Sequence, residues 1–269
     1  MERKDIFRFL RVLVVVYVVV GIGLYFLQEK FLFHPKKIAA DTVFNFGQPY
    51  REYNFTRDDG TNLNMVQFLP QDSLPLGLVV YYHGNMRNVT RYAPYARMFT
   101  MNGYEVWMMD YAGFGKSTGK RTEKRMYEDA ERVYKMAMER MHPDSIIIYG
   151  KSIGTGVASY IASKFPSKRL ILETPYTSIS GLAQRYFFMY PVKYMTTYDF
   201  PTIDYLPGVK SPITIFHGTH DGVIAYKNAK RLTTVFKPGD EFVTIEKANH
   251  NNIADYQLYH EKMDSLLSF

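Results

Sequence analysis

The feature that most limits what this chain can fold into is an alternation that begins near residue 51 and runs to the C-terminus. Apolar runs of strand length take turns with segments of helix length. The strands are expected at residues 51–56, 63–69, 78–82, 104–109, 145–149, 169–173, 212–216 and 242–246. Helices are expected at 92–102, 123–141, 153–165, 226–236 and 253–267. The first two strands flank Asp58-Asp59-Gly60, a hairpin signal. Several of the others are apolar without a break, as strands covered on both faces are. The pattern implies an α/β fold with an eight-stranded, mostly parallel sheet and helices on both faces. In such sheets ligands bind beyond the carboxyl ends of the strands, so chemistry is sought in the loops there.

One of those loops carries a nucleophile pattern. The fifth strand runs into Gly150-Lys151-Ser152-Ile153-Gly154, a G-x-S-x-G sequence, and a helix-compatible run follows. Two glycines let the backbone make a sharp strand-to-helix turn that exposes the Ser152 hydroxyl, and the helix N-terminus favours developing negative charge. A serine hydroxyl is a weak nucleophile and needs a base that a carboxylate holds in the right tautomer. The seventh strand leads into His217-Gly218-Thr219-His220-Asp221, and the eighth into Lys247-Ala248-Asn249-His250. Asp221 and His250 are therefore the expected acid and base, in the chain order Ser, Asp, His that this architecture uses. His217 and His220 read as structural, His142 and His260 as helix-end or helix-surface residues, and His34 lies at the membrane side. Asp110 reads as a turn organiser. An oxyanion needs two backbone donors. Ile153 N–H supplies one, and Asn85, after the third strand in His83-Gly84-Asn85-Met86, supplies the other.

These residues resemble the α/β-hydrolase superfamily from about Tyr53 to the C-terminus. The short N-terminal span, His83-Gly84-Asn85, Asp110-Tyr111-Ala112-Gly113-Phe114-Gly115, Glu173-Thr174-Pro175-Tyr176-Thr177-Ser178 and His217-Gly218-Thr219-His220-Asp221 are similar to the membrane-anchored branch related to protein depalmitoylases and serine aminopeptidase-like enzymes. The resemblance implies hydrolysis of an acyl ester or thioester through an acyl-enzyme. A peptidase of the same fold and a non-catalytic membrane-tethered binding domain stay open as alternatives. The eukaryotic depalmitoylases attach to membranes through N-terminal cysteines, whereas this chain has no cysteine at all. That absence also removes disulfides and a thiol nucleophile.

The N-terminus reads as a membrane anchor. Residues 12–27 carry no charge, and counting back to Phe9 gives 19 residues, about 28 Å of helix and close to one bilayer core. Arg3, Lys4, Arg8 and Arg11 precede the run, which favours a cytoplasmic N-terminus with the catalytic domain on the opposite side. No small-residue cleavage site follows. The chain divides at 1–35, anchor and linker, and 36–269, the hydrolase domain. Residues 176–205, between the sixth and seventh strands, occupy the place of a small cap, and nine of these thirty are Phe or Tyr. They suit an acyl-binding cleft or contact with a bilayer, or else ordinary packing over the sheet edge. The formal charge is +7, but Lys and Arg are scattered, so no nucleic-acid partner is expected. Neither a cofactor nor a metal is expected, there being no motif such as H-E-x-x-H. A small-molecule or lipid-like acyl substrate is the expected partner, and the oligomeric state is left open.

Overall fold

The computed structural model describes residues 3–71 and 74–268. Its first element, α1 (Arg3–Leu32), has 30 residues and buries none of them. It is long and apolar enough to cross a membrane. At about 45 Å it outlasts a bilayer core, and its last turn stands against the rest of the chain. There Glu29 pairs with Arg121 at 2.8 Å. Phe33, just beyond the helix, is 3% exposed. It packs edge-on against Phe114 and Tyr198, and the Arg121 guanidinium lies 4.3 Å from its ring centroid. The linker through residue 35 is thus woven into the folded unit.

A hairpin of β1 (Tyr50–Thr56) and β2 (Asn62–Phe68) opens the main sheet. There follow β3 (Gly77–Tyr82), α2 (Val89–Met101), β4 (Tyr104–Met109), α3 (Glu123–Arg140) and β5 (Ile146–Lys151). After α4 (Gly154–Lys164) and β6 (Arg169–Glu173) comes the cap, with three short helices: α5 (Ile179–Ala183), α6 (Val192–Met195) and α7 (Thr202–Tyr205). The chain ends through β7 (Ile213–Gly218), α8 (Tyr226–Lys230), β8 (Glu241–Ile245) and α9 (Gln257–Leu267). The eight-stranded sheet has the order β8-β7-β6-β5-β3-β4-β2-β1, with β3 to β8 parallel and β2 antiparallel to both its neighbours, β4 and β1.

Strand periodicity sorts the core into two layers. Leu78, Val80 and Tyr82 of β3 face one cluster with Val133 of α3 and Val157 of α4, while Val79 and Tyr81 face the other with Phe99 of α2 and Met263 of α9. Two expected helices are interrupted. The segment 226–236 is α8 followed by a 3-10 stretch, Arg231–Val235, in which the Thr233 and Thr234 hydroxyls bond back to the carbonyls of Lys230 and Arg231. The last helix begins only at Gln257, after a 3-10 turn at Ile253–Asp255 and an extended Tyr256.

Chain order turns around at β3, because β4 lies on one side of it and β5 on the other. Tyr82 at the end of β3 sits opposite Gly150 of β5, so the loops after these two strands are neighbours. A crevice at such a reversal is where this architecture binds ligands.

Candidate active site

Ser152 sits one residue past β5 with φ of 52°, a left-handed conformation that a non-glycine residue adopts only under constraint. Its neighbours impose that turn. A Cβ on Gly150 would meet the Gly154 carbonyl at 2.7 Å, and one on Gly154 would meet the Tyr82 carbonyl at 2.1 Å. Ser152 N–H donates to the Glu173 carbonyl of β6, and the Ser152 carbonyl accepts from both N–H and hydroxyl of Thr155 in the first turn of α4. The hydroxyl therefore stands over the helix N-terminus, where negative charge is favoured.

His250 reaches this serine from the loop after β8. Its Nε2 is 3.0 Å from Ser152 Oγ, and its Nδ1 is 2.8 Å from Asp221 Oδ2. The three residues sit 69 and 29 positions apart along the chain, yet form one hydrogen-bonded line. Asp221 is held by its own loop, since Oδ1 accepts N–H bonds from Val223 and Ile224 at 2.8 Å each. Burial alone would raise its pKa. The bond and charge of His250 and the two backbone donors outweigh it, and the carboxyl is held below the usual carboxylate value. The acid is thus an acceptor with every lone-pair direction but one engaged.

The loop after β3 lies beside the nucleophile. A Cβ at Gly84 would stand 3.6 Å from the Ser152 Cβ and 2.7 Å from the Tyr92 hydroxyl, so only glycine fits there. Asn85 follows immediately, and its side-chain amide donates to the Leu32 carbonyl at 2.7 Å. The structure thereby brings Ser152, His250, Asp221, Ile153 and the Asn85 loop to one end of the sheet. Asp110 lies on another path: Oδ1 accepts from Val89 N–H at the start of α2, and a Cβ at Gly115 would strike Oδ2 at 2.0 Å. His142, His220 and His260 are exposed, and His34 pairs with Met86 in a two-residue parallel ladder. Among the described residues no group of three or more His, Asp or Glu is arranged to hold a metal.

The family described as serine aminopeptidase, S33, matches residues 73–197. The human alpha/beta hydrolase domain-containing protein 17B is 31% identical over 195 residues, 71% of this chain and 66% of that protein. Its 17C relative from Xenopus tropicalis is 33% identical over 193 residues, covering 71% of this chain and 61% of the relative. The chain thus matches slightly less than two thirds of these relatives' own lengths. Among solved structures, an esterase of Pyrococcus furiosus superposes with a TM-score of 0.66 over 88% of this chain and 97% of its own, at 18% identity. The esterase domain of a Rhodothermus marinus protein gives 0.61 over 81% and 97%, at 17% identity. These two likenesses concern the fold.

The chain has the α/β-hydrolase fold.

Three features of this candidate site are not evident from motif spacing. His217, fully buried at the end of β7, places Nε2 3.6 Å from Asp221 Oδ2. Burial lowers its pKa, and His250 adds to that against the opposing pull of Asp221 and the Gly218 carbonyl. Lys151 and Glu173 form a buried ion pair beneath Ser152, and Tyr149 donates to the same carboxylate. Burial opposes the charge on Lys151, but Glu173 outweighs it and the lysine pKa is raised. The third is the Leu32 carbonyl at Asn85.

Proposed function

We propose that this hydrolase cleaves acyl ester or thioester bonds with Ser152 as nucleophile, His250 as general base and Asp221 as the group that orients His250. The reading rests on one observation, the continuous line from Ser152 Oγ through both ring nitrogens of His250 to Asp221 Oδ2. His250 Nε2 takes the hydroxyl proton as Oγ bonds the substrate carbonyl carbon. The oxyanion is held by the N–H groups of Asn85 and Ile153. His250 returns the proton to the departing alcohol or thiol, leaving an acyl-serine. A water then gives its proton to His250, attacks the acyl carbon and releases the carboxylic acid with the serine restored.

We read α1 as a single membrane-spanning anchor, with its basic leader in the cytoplasm and the catalytic unit on the opposite side. The preferred substrate is then an acyl group presented at the membrane. The deciding experiment is labelling by a fluorophosphonate followed by rates on acyl esters, thioesters and aminoacyl amides. Labelling that is lost in Ser152→Ala, together with ester or thioester turnover, is expected. Persistent labelling of Ser152→Ala overturns the nucleophile, and a strong preference for aminoacyl amides with a free amine favours a peptidase instead.

A further inference from the structure

Seven of the nine aromatic residues of the cap segment divide sharply, and Tyr190 and Tyr205 are half-buried. Tyr176, Tyr198 and Phe200 are buried, whereas Tyr186, Phe187, Phe188 and Tyr194 are exposed. The exposed ones cluster on a stretch that runs back along α1, away from the sheet. Tyr190 stacks on Tyr17 with ring centroids 4.4 Å apart and planes within 3°. The Tyr17 hydroxyl donates to the Met189 carbonyl, and the Tyr190 hydroxyl donates to the Tyr17 carbonyl. Gly21 makes room, since a Cβ there would lie 3.0 Å from the Tyr190 ring. Tyr17 is ten residues before Leu27, the end of the uncharged run, so the cap tip reaches about 15 Å along it. That is about half the thickness of a bilayer core. Irregular backbone at such a depth requires internal partners, and the two tyrosine hydroxyls engage one carbonyl of the cap and one of the helix.

Between the helix and this tip lies a groove of about 430 Å³, within the size range of ligand sites. Leu24, Phe31 and Leu32 form one wall and Ala183, Phe187 and Val192 the other. Its inner end is Leu32, whose carbonyl accepts from Asn85, and a second groove of about 370 Å³ beside Val18 and Ile22 continues along the outer part of the helix. We infer that the groove binds a long acyl chain that leaves the bilayer sideways between the anchor helix and the cap, with its carbonyl end delivered to Ser152. This rests on the serine-hydrolase reading above and names its substrate class. Water is a poor occupant of so apolar a cleft, and each methylene transferred into it from water gains about 0.8 kcal/mol.

The test uses the full-length protein in liposomes. Ala183→Trp and Leu24→Trp fill the groove, and Leu27→Trp, on the same helix outside the groove, is the control. The kcat/KM ratio of p-nitrophenyl palmitate to p-nitrophenyl acetate is expected to fall at least tenfold in the first two and to stay within twofold in the control. An unchanged ratio in both groove variants overturns the proposal while leaving the hydrolase reading intact. A second measurement does not depend on turnover. In Ser152→Ala, a diazirine-bearing acyl chain supplied on a phospholipid or on an S-acylated peptide is expected to cross-link to peptides containing residues 24–32 and 183–192. Cross-links from one source and not the other identify which molecule carries the chain, and cross-links confined to other regions overturn the site.

Discussion

The side-chain amide of Asn85 donates to the carbonyl of Leu32 at 2.7 Å, which ties the loop beside the nucleophile to the last residue of the N-terminal helix. The tie is reinforced on the backbone, where His34 N–H donates to the Asn85 carbonyl and Lys36 N–H to that of Arg87. The segment that leads out of α1 is thereby an edge strand of the loop proposed to hold the oxyanion.

A chain that begins at Lys36 loses Phe33 and both bonds to Asn85, the one from His34 N–H and the one to the Leu32 carbonyl. It is expected to be soluble and to fold, with the circular dichroism of the intact protein less the signal of the 30-residue helix α1, but with kcat for p-nitrophenyl acetate reduced at least tenfold. Phe33→Ala in the full-length protein is expected to lower stability by about 3–5 kcal/mol, because the ring is lost from a packed site. Unchanged kcat in the shortened chain would show that the loop holds its shape alone.

Ser152→Ala and His250→Ala are each expected to abolish ester hydrolysis, since neither half of the proton transfer works alone. Asp221→Asn leaves nucleophile and base in contact and is expected to retain roughly a hundredfold more kcat than Ser152→Ala. Equal loss in all three variants would assign Asp221 a larger role than orientation.

The lowered pKa of Asp221 also has a consequence for stability. As pH falls, the unfolded chain takes up this proton before the folded chain does. The contribution of the carboxylate is therefore complete above the usual carboxylate value of 3.8 and is lost as pH drops through the lower folded value. Urea midpoints measured across the acid range should fall less steeply for Asp221→Asn than for the unchanged protein. Parallel curves would mean that Asp221 titrates alike in both states.

The buried pair of Lys151 and Glu173 yields a test of a different kind. Lys151→Met strands a carboxylate without its cation and is expected to cost about 3–5 kcal/mol. Lys151→Met combined with Glu173→Gln removes both charges and is expected to recover a substantial part of that loss. Additive losses in a double-mutant cycle would show that the two side chains act independently.

How much of this was written in the sequence depends on the range of the forces involved. The strands, the Gly150 to Gly154 turn and the order Ser152, Asp221, His250 were legible because burial on both faces and glycine geometry leave local marks. Asp110 read as a turn organiser, and its Oδ1 accepts from Val89 N–H, whereas Asp221 is the carboxylate that meets His250. Other features leave no local mark. Residues 226–236 read as one helix, and the break came from Thr233 and Thr234 hydroxyls returning to backbone carbonyls. Phe33 lies in the linker at 1–35, and nothing nearby in sequence announces that Phe114, Arg121 and Tyr198 enclose it. The aromatic richness of residues 176–205 was plain, but the division between rings that pack over the sheet and rings that line α1 was not. Only the fold decided it, because the contact of Tyr190 with Tyr17 spans 173 positions and depends on how the cap is aimed after β6. The sequence by itself determined which groups can react and which strand ends carry them. Tertiary structure alone decided that the N-terminal helix forms one wall of an apolar groove against the cap, since that rests on side chains meeting across distances at which the chain retains no local preference.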